Sequence, residues 1–172
     1  MTKGLRFVEN ISSLSKSEFE TLTKDLNSPF INYDFLSSLE LSKCVTSLTG
    51  WQPNHLISNE DNKLNGFMPL YLKDNSQGEF VFDHSWSYAL NRAGRKYYPK
   101  LLSAIPFTPC ETEKIIGNKF NNLFIKEVVE FMNLNKIETW HILFPDKNLK
   151  DDLRENNFIE RNGYKFVWKN KG

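Results

Sequence analysis

The sequence predicts a single mixed α/β domain, with one mainly antiparallel sheet flanked by helices. Three observations point there. The length, 172 residues, suits one domain. Apolar residues recur at helical spacing in two separated stretches, 15–26 and 118–134. Between them, short apolar runs are broken by polar turns at 59–62 and 74–77, the pattern of a β-meander.

Taken in order, Leu5–Val8 is a short apolar run that starts a strand, and Ser15-Lys16-Ser17-Glu18 is a capping box that opens a helix. Phe19, Leu22 and Leu26 share one face of that helix, and Asn27-Ser28-Pro29 ends it. A second helix is expected from Asp34 to Lys43, with Asp34 as cap and Phe35, Leu36 and Leu39 turned inward. Three antiparallel strands follow, His55–Ser58, Leu64–Lys73 and Gly78–Phe82. Pro69 marks an edge or a bulge in the second, because proline cannot donate to the ladder.

Ser85–Ala93 reads as a helix closed by Gly94, and the Tyr97–Pro109 stretch as a strand-like centre bracketed by prolines. The helix over 118–134 carries Phe120, Leu123, Phe124, Val128 and Phe131 on one stripe. Trp140–Phe144 (WHILF) is apolar on both alternating faces, as a central strand should be. Pro145-Asp146 opens a last helix through Leu149 and Leu153, and Phe158-Ile159 with Tyr164–Trp168 suggests a terminal hairpin around Asn162-Gly163.

Composition limits the function classes. Hydrophobic residues make up 40% of the chain, including 14 Phe, 6 Tyr and 4 Trp, enough for a core that needs no disulfide or metal. Lys plus Arg number 22 against 21 Asp plus Glu, so there is no global field to attract nucleic acid or an anionic membrane. Any anion site must be local. Cys44 and Cys110 have neither redox nor zinc spacing, and the default is a reduced, cytoplasmic protein. The charged first residues run into the polar ISSLSKSEFE, so no signal peptide is read, and no apolar stretch approaches the ~18 residues of a membrane span.

Phosphate-cradling, Rossmann, nucleophile-elbow and H-E-x-x-H motifs are all missing, and His55, His84 and His141 lie too far apart for a recognisable metal site. What stands out is a polar and aromatic concentration between residues 81 and 109. An apolar run leads directly into Asp83, His84, Trp86 and Tyr88. Asp83 could orient His84 as a general base for an attacking amine; the alternative is that Asp83 caps the following helix and His84 is solvated.

Tyr97, Tyr98 and Lys100 precede the proline-braced strand, and Phe107 and Thr108 follow it. Together with Trp86 they can line a binding groove in which Lys100 meets a phosphate or carboxylate, or they can form a packed aromatic cluster with a surface lysine. His141, inside WHILF, reads as a core histidine, and Trp51 as either lid or core.

The string from Trp51-Gln52-Pro53 through GFMPLYLK (66–73), FVFDHSW (80–86) and YYPKLLSAIPFTP (97–109) resembles the FemAB-like branch of the GNAT acyltransferase superfamily. The resemblance extends from Asn27 to Asn170. It implies a GNAT-like fold and an N-acyltransferase activity tied to peptidoglycan biosynthesis. It also implies two lobes, of which residues 1–172 would be the first.

In the related Fem ligases the acceptor is a peptidoglycan precursor peptide and the donor an aminoacyl-tRNA, bound mainly by the second lobe. Nucleic acid is therefore a partner only if aminoacyl-tRNA is the donor. The Q/R-x-x-G-x-G/A turn with which GNAT enzymes hold acetyl-CoA is missing. The expectation is an acyl or aminoacyl transferase acting on an amine of a small-molecule or peptide acceptor, with His84 and Asp83 as base and orienter. Its rival is a non-catalytic lobe that binds peptide or glycan precursors.

Overall fold

A computed structural model describes residues 4–81, 83–117, 121–164 and 166–171. It contains β1 (Gly4–Val8), α1 (Lys16–Thr23), α2 (Tyr33–Leu41), β2 (Gln52–Pro53), β3 (His55–Glu60), β4 (Lys63–Met68) and β5 (Tyr71–Lys73). These are followed by α3 (His84–Arg92), β6 (Lys100–Ser103), α4 (Asn121–Asn135), β7 (Trp140–Ile142) and α5 (Lys147–Glu155). The class is mixed α/β, with mainly antiparallel strands flanked by helices.

The strands form two sheets rather than one: β1-β3-β4, all antiparallel, and β2-β5-β6-β7, in which only β6 and β7 run parallel. The run expected as one strand over 64–73 divides at Pro69-Leu70, where the chain leaves the first sheet after Met68 and enters the second at Tyr71. Proline has no N–H for a ladder, so it suits this crossing. Asp61 and Asn62 both have positive φ (49° and 64°), the geometry of a two-residue hairpin between β3 and β4.

Local signals place several helices. Ser15 caps α1 by accepting from the Glu18 N–H, and Asp146 caps α5 by accepting from Asn148 and Leu149. α2 is capped by Asn32, whose Oδ1 accepts from the Phe35 N–H at 2.8 Å, and not by Asp34, which is drawn to Lys16 instead. On α4, Phe124, Ile125 and Val128 are buried while Leu123 faces outward; Phe120 lies outside the described residues.

Two further expectations fail among the described residues. Gly78–Val81 is an irregular loop with Glu79 turned inward, and Phe82 falls outside them. The segment after Phe158 forms no hairpin: Ile159, Tyr164, Phe166 and Trp168 stand exposed, and Lys165 is not described.

The core has three parts. Ile57 and Phe67 of the first sheet face α1 and α2 through Phe19 and Leu36. Leu56 and Met68 face the other way, joining Leu101 of β6, Phe124 and Val128 of α4, and Leu149 and Leu153 of α5. On the opposite side of the second sheet, Tyr71 and Leu102 pack with Trp51, Val45 and Leu143. β7 is an edge strand with half-buried residues, not the central strand its apolar run suggests.

Candidate functional site

The second sheet is apolar on the side of α4 and α5, and its other side carries buried charges beside the Tyr71, Leu102 and Trp51 cluster. Strand alternation puts Lys73 on the face of Tyr71, and Lys100 and His141 on that of Leu102. Lys73 and Lys100 stand directly opposite each other, an arrangement that repels unless counter-charges are supplied. Glu79, in the 74–81 loop, and Asp83 supply them. Lys100 Nζ donates to Glu79 Oε2 at 2.8 Å, to Ser76 Oγ at 3.0 Å and, in a very close contact, to Asp83 Oδ2, which occupies all three ammonium protons. All three charged groups are sealed from solvent, with relative exposures of 0% for Lys100, 3% for Glu79 and 1% for Asp83.

Lys73 Nζ donates to the Gln77 carbonyl at 3.2 Å and lies 3.8 Å from the centroid of the buried Trp51 ring. Trp51 Nε1 donates to the same carbonyl at 3.0 Å, so Trp51 is core. A Cβ on Gly78, which has φ +77°, would lie 2.5 Å from the Phe107 ring, and that ring packs on Trp51 at 5.4 Å. Glycine allows both the turn and this approach.

The cluster extends towards solvent through two tyrosines and a histidine. Tyr97 OH donates to Asp83 Oδ2 at 2.5 Å and lies 3.2 Å from His141 Nε2, and Tyr98 OH pairs with Ser76 Oγ at 2.6 Å. Burial alone would raise the Asp83 pKa, but hydrogen bonds from Lys100, Tyr97 and Ser76 outweigh it and hold the carboxyl at about 2. Burial pushes Glu79 up, with Lys100 opposing, and pushes Lys73 down to about 8. Tyr97 is raised, first by burial and then by its bond to Asp83. His141 is lowered to about 4, by burial and then by the Lys100 charge.

The structure brings Asp83, Tyr97, Tyr98 and Lys100 together as an interior network, whereas the sequence reading set Asp83 beside His84 and gave Lys100 to a bound anion. Lys100 is neither on the surface nor open to a ligand. The Asp83 side chain does not cap α3; its bonds run inward to Lys100 and Tyr97, and His84 lies exposed at the start of that helix. Trp86, 42% exposed, is on the outside of α3 with the Arg161 guanidinium 5.5 Å from its ring centroid. Phe107, 41% exposed, belongs to the Trp51 side, and the Thr108 hydroxyl donates to the Pro106 carbonyl at 3.0 Å.

Two surface concavities, of about 380 and 360 Å³, lie elsewhere. One is lined by Ile125, Val129 and Phe158 among others, the second by Glu9, Glu40, Thr46 and Gln52 among others.

Sequence reasoning missed Glu79, Ser76, Lys73 and His141. The available signal was the pair of lysines at positions that strand alternation assigns to the buried face. Two other buried polar groups serve the fold. His55 is held at both nitrogens, by Glu40 Oε1 at 3.0 Å and by the Leu70 N–H at 3.2 Å. Lys114 donates to the Thr112 and Phe144 carbonyls at 2.8 and 3.1 Å and is lowered to about 8 by burial.

Among the described residues no helix is long and apolar enough to cross a membrane, and no group of three or more His, Cys, Asp or Glu side chains could hold a metal ion. None of the curated proteins matches the chain. A family model for FemAB-like proteins, described as peptidoglycan biosynthesis/recognition, matches residues 10–172, which takes in both sheets from β2 onward and the whole ionic face; the chain belongs to that family.

Proposed function

We propose that this domain is part of an acyl or aminoacyl transferase that moves a carbonyl-activated group onto an amine of a peptidoglycan precursor, in the cytoplasm. The observation that carries this reading is the ionic face of the second sheet. Two lysines buried on strands β5 and β6 and two carboxylates buried on the segment between them carry a desolvation cost of several kcal/mol per ion, and perturbed groups such as Lys73 and Asp83 concentrate where chemistry is done. The family's description supplies the substrate class, and the donor, a thioester or an aminoacyl ester, is a substrate.

Amide formation needs a group that takes the proton from the attacking nitrogen and donors that steady the acyl oxyanion. In this reading Lys100, Glu79 and Asp83 fix the 74–81 loop and Tyr97. The exposed His84, Trp86 and Phe107, with the half-buried Tyr98 and Thr108, offer ring surface and polar atoms to an acceptor. The domain acts as one of two lobes, with the exposed Tyr164, Phe166 and Trp168 available to the other.

One observation favours a second reading, a binding lobe without catalysis: neither concavity is lined by the ionic cluster. A thermal-shift screen against acetyl-CoA, a lysine-containing muropeptide and alanyl-tRNA separates the two. Stabilisation by about 2.7 kcal/mol is expected for a ligand at a hundredfold excess over Kd. Stabilisation by a donor and an acceptor, with amide product by mass spectrometry, supports the transferase. Stabilisation by muropeptide alone, without product, supports the binding lobe, and no shift with any of the three refutes both.

A further inference from the structure

We propose that His141 is the group that takes the proton from the attacking amine, with Tyr97 and Asp83 as its positioning residues. The inference rests on the transferase reading and starts from one proton. Tyr97 has a single hydroxyl hydrogen, and it is committed to Asp83 Oδ2 at 2.5 Å. The tyrosine oxygen therefore meets His141 Nε2, 3.2 Å away, as an acceptor, so Nε2 carries the ring's hydrogen and Nδ1 keeps its lone pair. Among the described residues Nδ1 has no hydrogen-bond partner, and the half-buried residue lies on the edge strand β7.

His55 differs because both its nitrogens are engaged and it is fully buried. His84 stands on the exposed start of α3, and Asp83 turns away from it to Lys100 and Tyr97. His141 joins a tautomer fixed by the buried network to a lone pair that no described residue engages.

The charged and titratable groups facing His141 are Tyr97 and Asp83 from the ionic cluster, Lys100 on the neighbouring strand β6, and Arg161 beyond α5. Burial and the two cations disfavour the imidazolium, which keeps the ring neutral at working pH. A base this weak does not deprotonate a free ammonium ion, but the ammonium of a tetrahedral adduct is far more acidic. The amine nitrogen bonds to the acyl carbon and the carbonyl π pair moves to oxygen. The nitrogen's proton goes to His141 Nδ1. When the adduct collapses, the thiolate or sugar alkoxide leaves with the bonding pair and takes that proton, which restores the neutral ring.

Two measurements test the placement without any substrate. In ¹⁵N-edited NMR of the folded protein, His141 should show the Nε2–H tautomer, and Tyr97→Phe should shift it towards a mixture. The Nδ1–H tautomer in the wild type overturns the proposal. Diethyl pyrocarbonate, which acylates neutral imidazole, should modify His141 at the same rate at pH 5.5 and 7.5, with sites mapped by mass spectrometry against N-acetylhistidine as reference. No modification of His141 in the folded protein also overturns it.

With whichever donor and amine turn over in the screen above, His141→Gln should lower kcat by about 10²–10⁴-fold at unchanged KM. An unchanged kcat refutes the proton-accepting role while leaving the transferase reading intact. Absence of wild-type turnover counts against the transferase reading, and the two placement measurements then decide whether His141 is poised as described.

Discussion

Replacing Lys100 by Met removes the cation on which the interior network converges. Its three donated bonds disappear, and Glu79 Oε2 and Asp83 Oδ2 lose their cation while Glu79 Oε1 and Asp83 Oδ1 already lack a partner among the described residues. Breaking a buried ion pair from one side costs about 3–5 kcal/mol, a large share of the roughly 5–15 kcal/mol that holds a domain folded. For 172 residues at about 2.1 cal/mol/K per residue, the unfolding entropy is about 0.36 kcal/mol/K, so Tm should fall by roughly 8–14 °C.

The contribution of Asp83 to the pH slope should also reverse. In the wild type, the Asp83 pKa lies below its unfolded value because Lys100 and Tyr97 favour the anion. Without the lysine, burial dominates and the native state of the variant takes up protons that the unfolded chain does not, so its stability rises as pH falls from 7 to 5. Urea unfolding followed by tryptophan fluorescence reads both effects. The triple variant Lys100→Met, Glu79→Gln, Asp83→Asn, which leaves no buried charge on these positions, should recover most of the loss. A single variant within about 1 kcal/mol of wild type at pH 7, with the wild-type pH slope, would refute the claim that the network is interior and closed.

Three further outcomes follow from the same geometry. Because the native Asp83 pKa is depressed from 3.8 to about 2, it contributes about 2 kcal/mol that is present above pH 3.8 and lost as pH falls through 2; Asp83→Asn should flatten that limb of the urea-midpoint profile. Lys73 and Lys114 are depressed from 10.5 to about 8, so the unfolded chain binds more protons in that interval and stability should climb from pH 8 until Tyr71 and Tyr97, whose raised pKa values act in the opposite sense, take over near pH 10. Lys114→Met should lower that slope in pH-dependent melts. Gly78→Ala places a Cβ against the Phe107 ring at positive φ and should cost about 1–3 kcal/mol, with a change in Trp51 emission as Phe107 is displaced.

Much of the fold follows from information confined to a few neighbouring residues. The Ser15 and Asp146 caps, the helical period from Asn121 onward, the Asp61-Asn62 turn and the closing Gly94 each depend on atoms within a turn or two of chain, so reading the sequence located them. The same local reading put Asp83, Tyr97, Tyr98 and Lys100 in one polar region because they lie close in sequence. It could not tell a groove from an interior, since that depends on what covers the side chains.

The tertiary structure alone decided the rest. The sheet change at Pro69-Leu70 is what sets Lys73 opposite Lys100. Glu79 meets Lys100 across 21 residues because the 74–81 segment, with a buried counter-charge to deliver, folds over the sheet instead of joining it as a strand. His141 reaches Tyr97 across 44 residues only because β7 lies parallel to β6, and an apolar pentapeptide carries no mark of which strand will be its neighbour or whether it will sit at an edge. Local sequence governs backbone conformation through sterics and short hydrogen bonds; the pairing of distant charges is fixed by topology, and topology is a property of the whole packed chain.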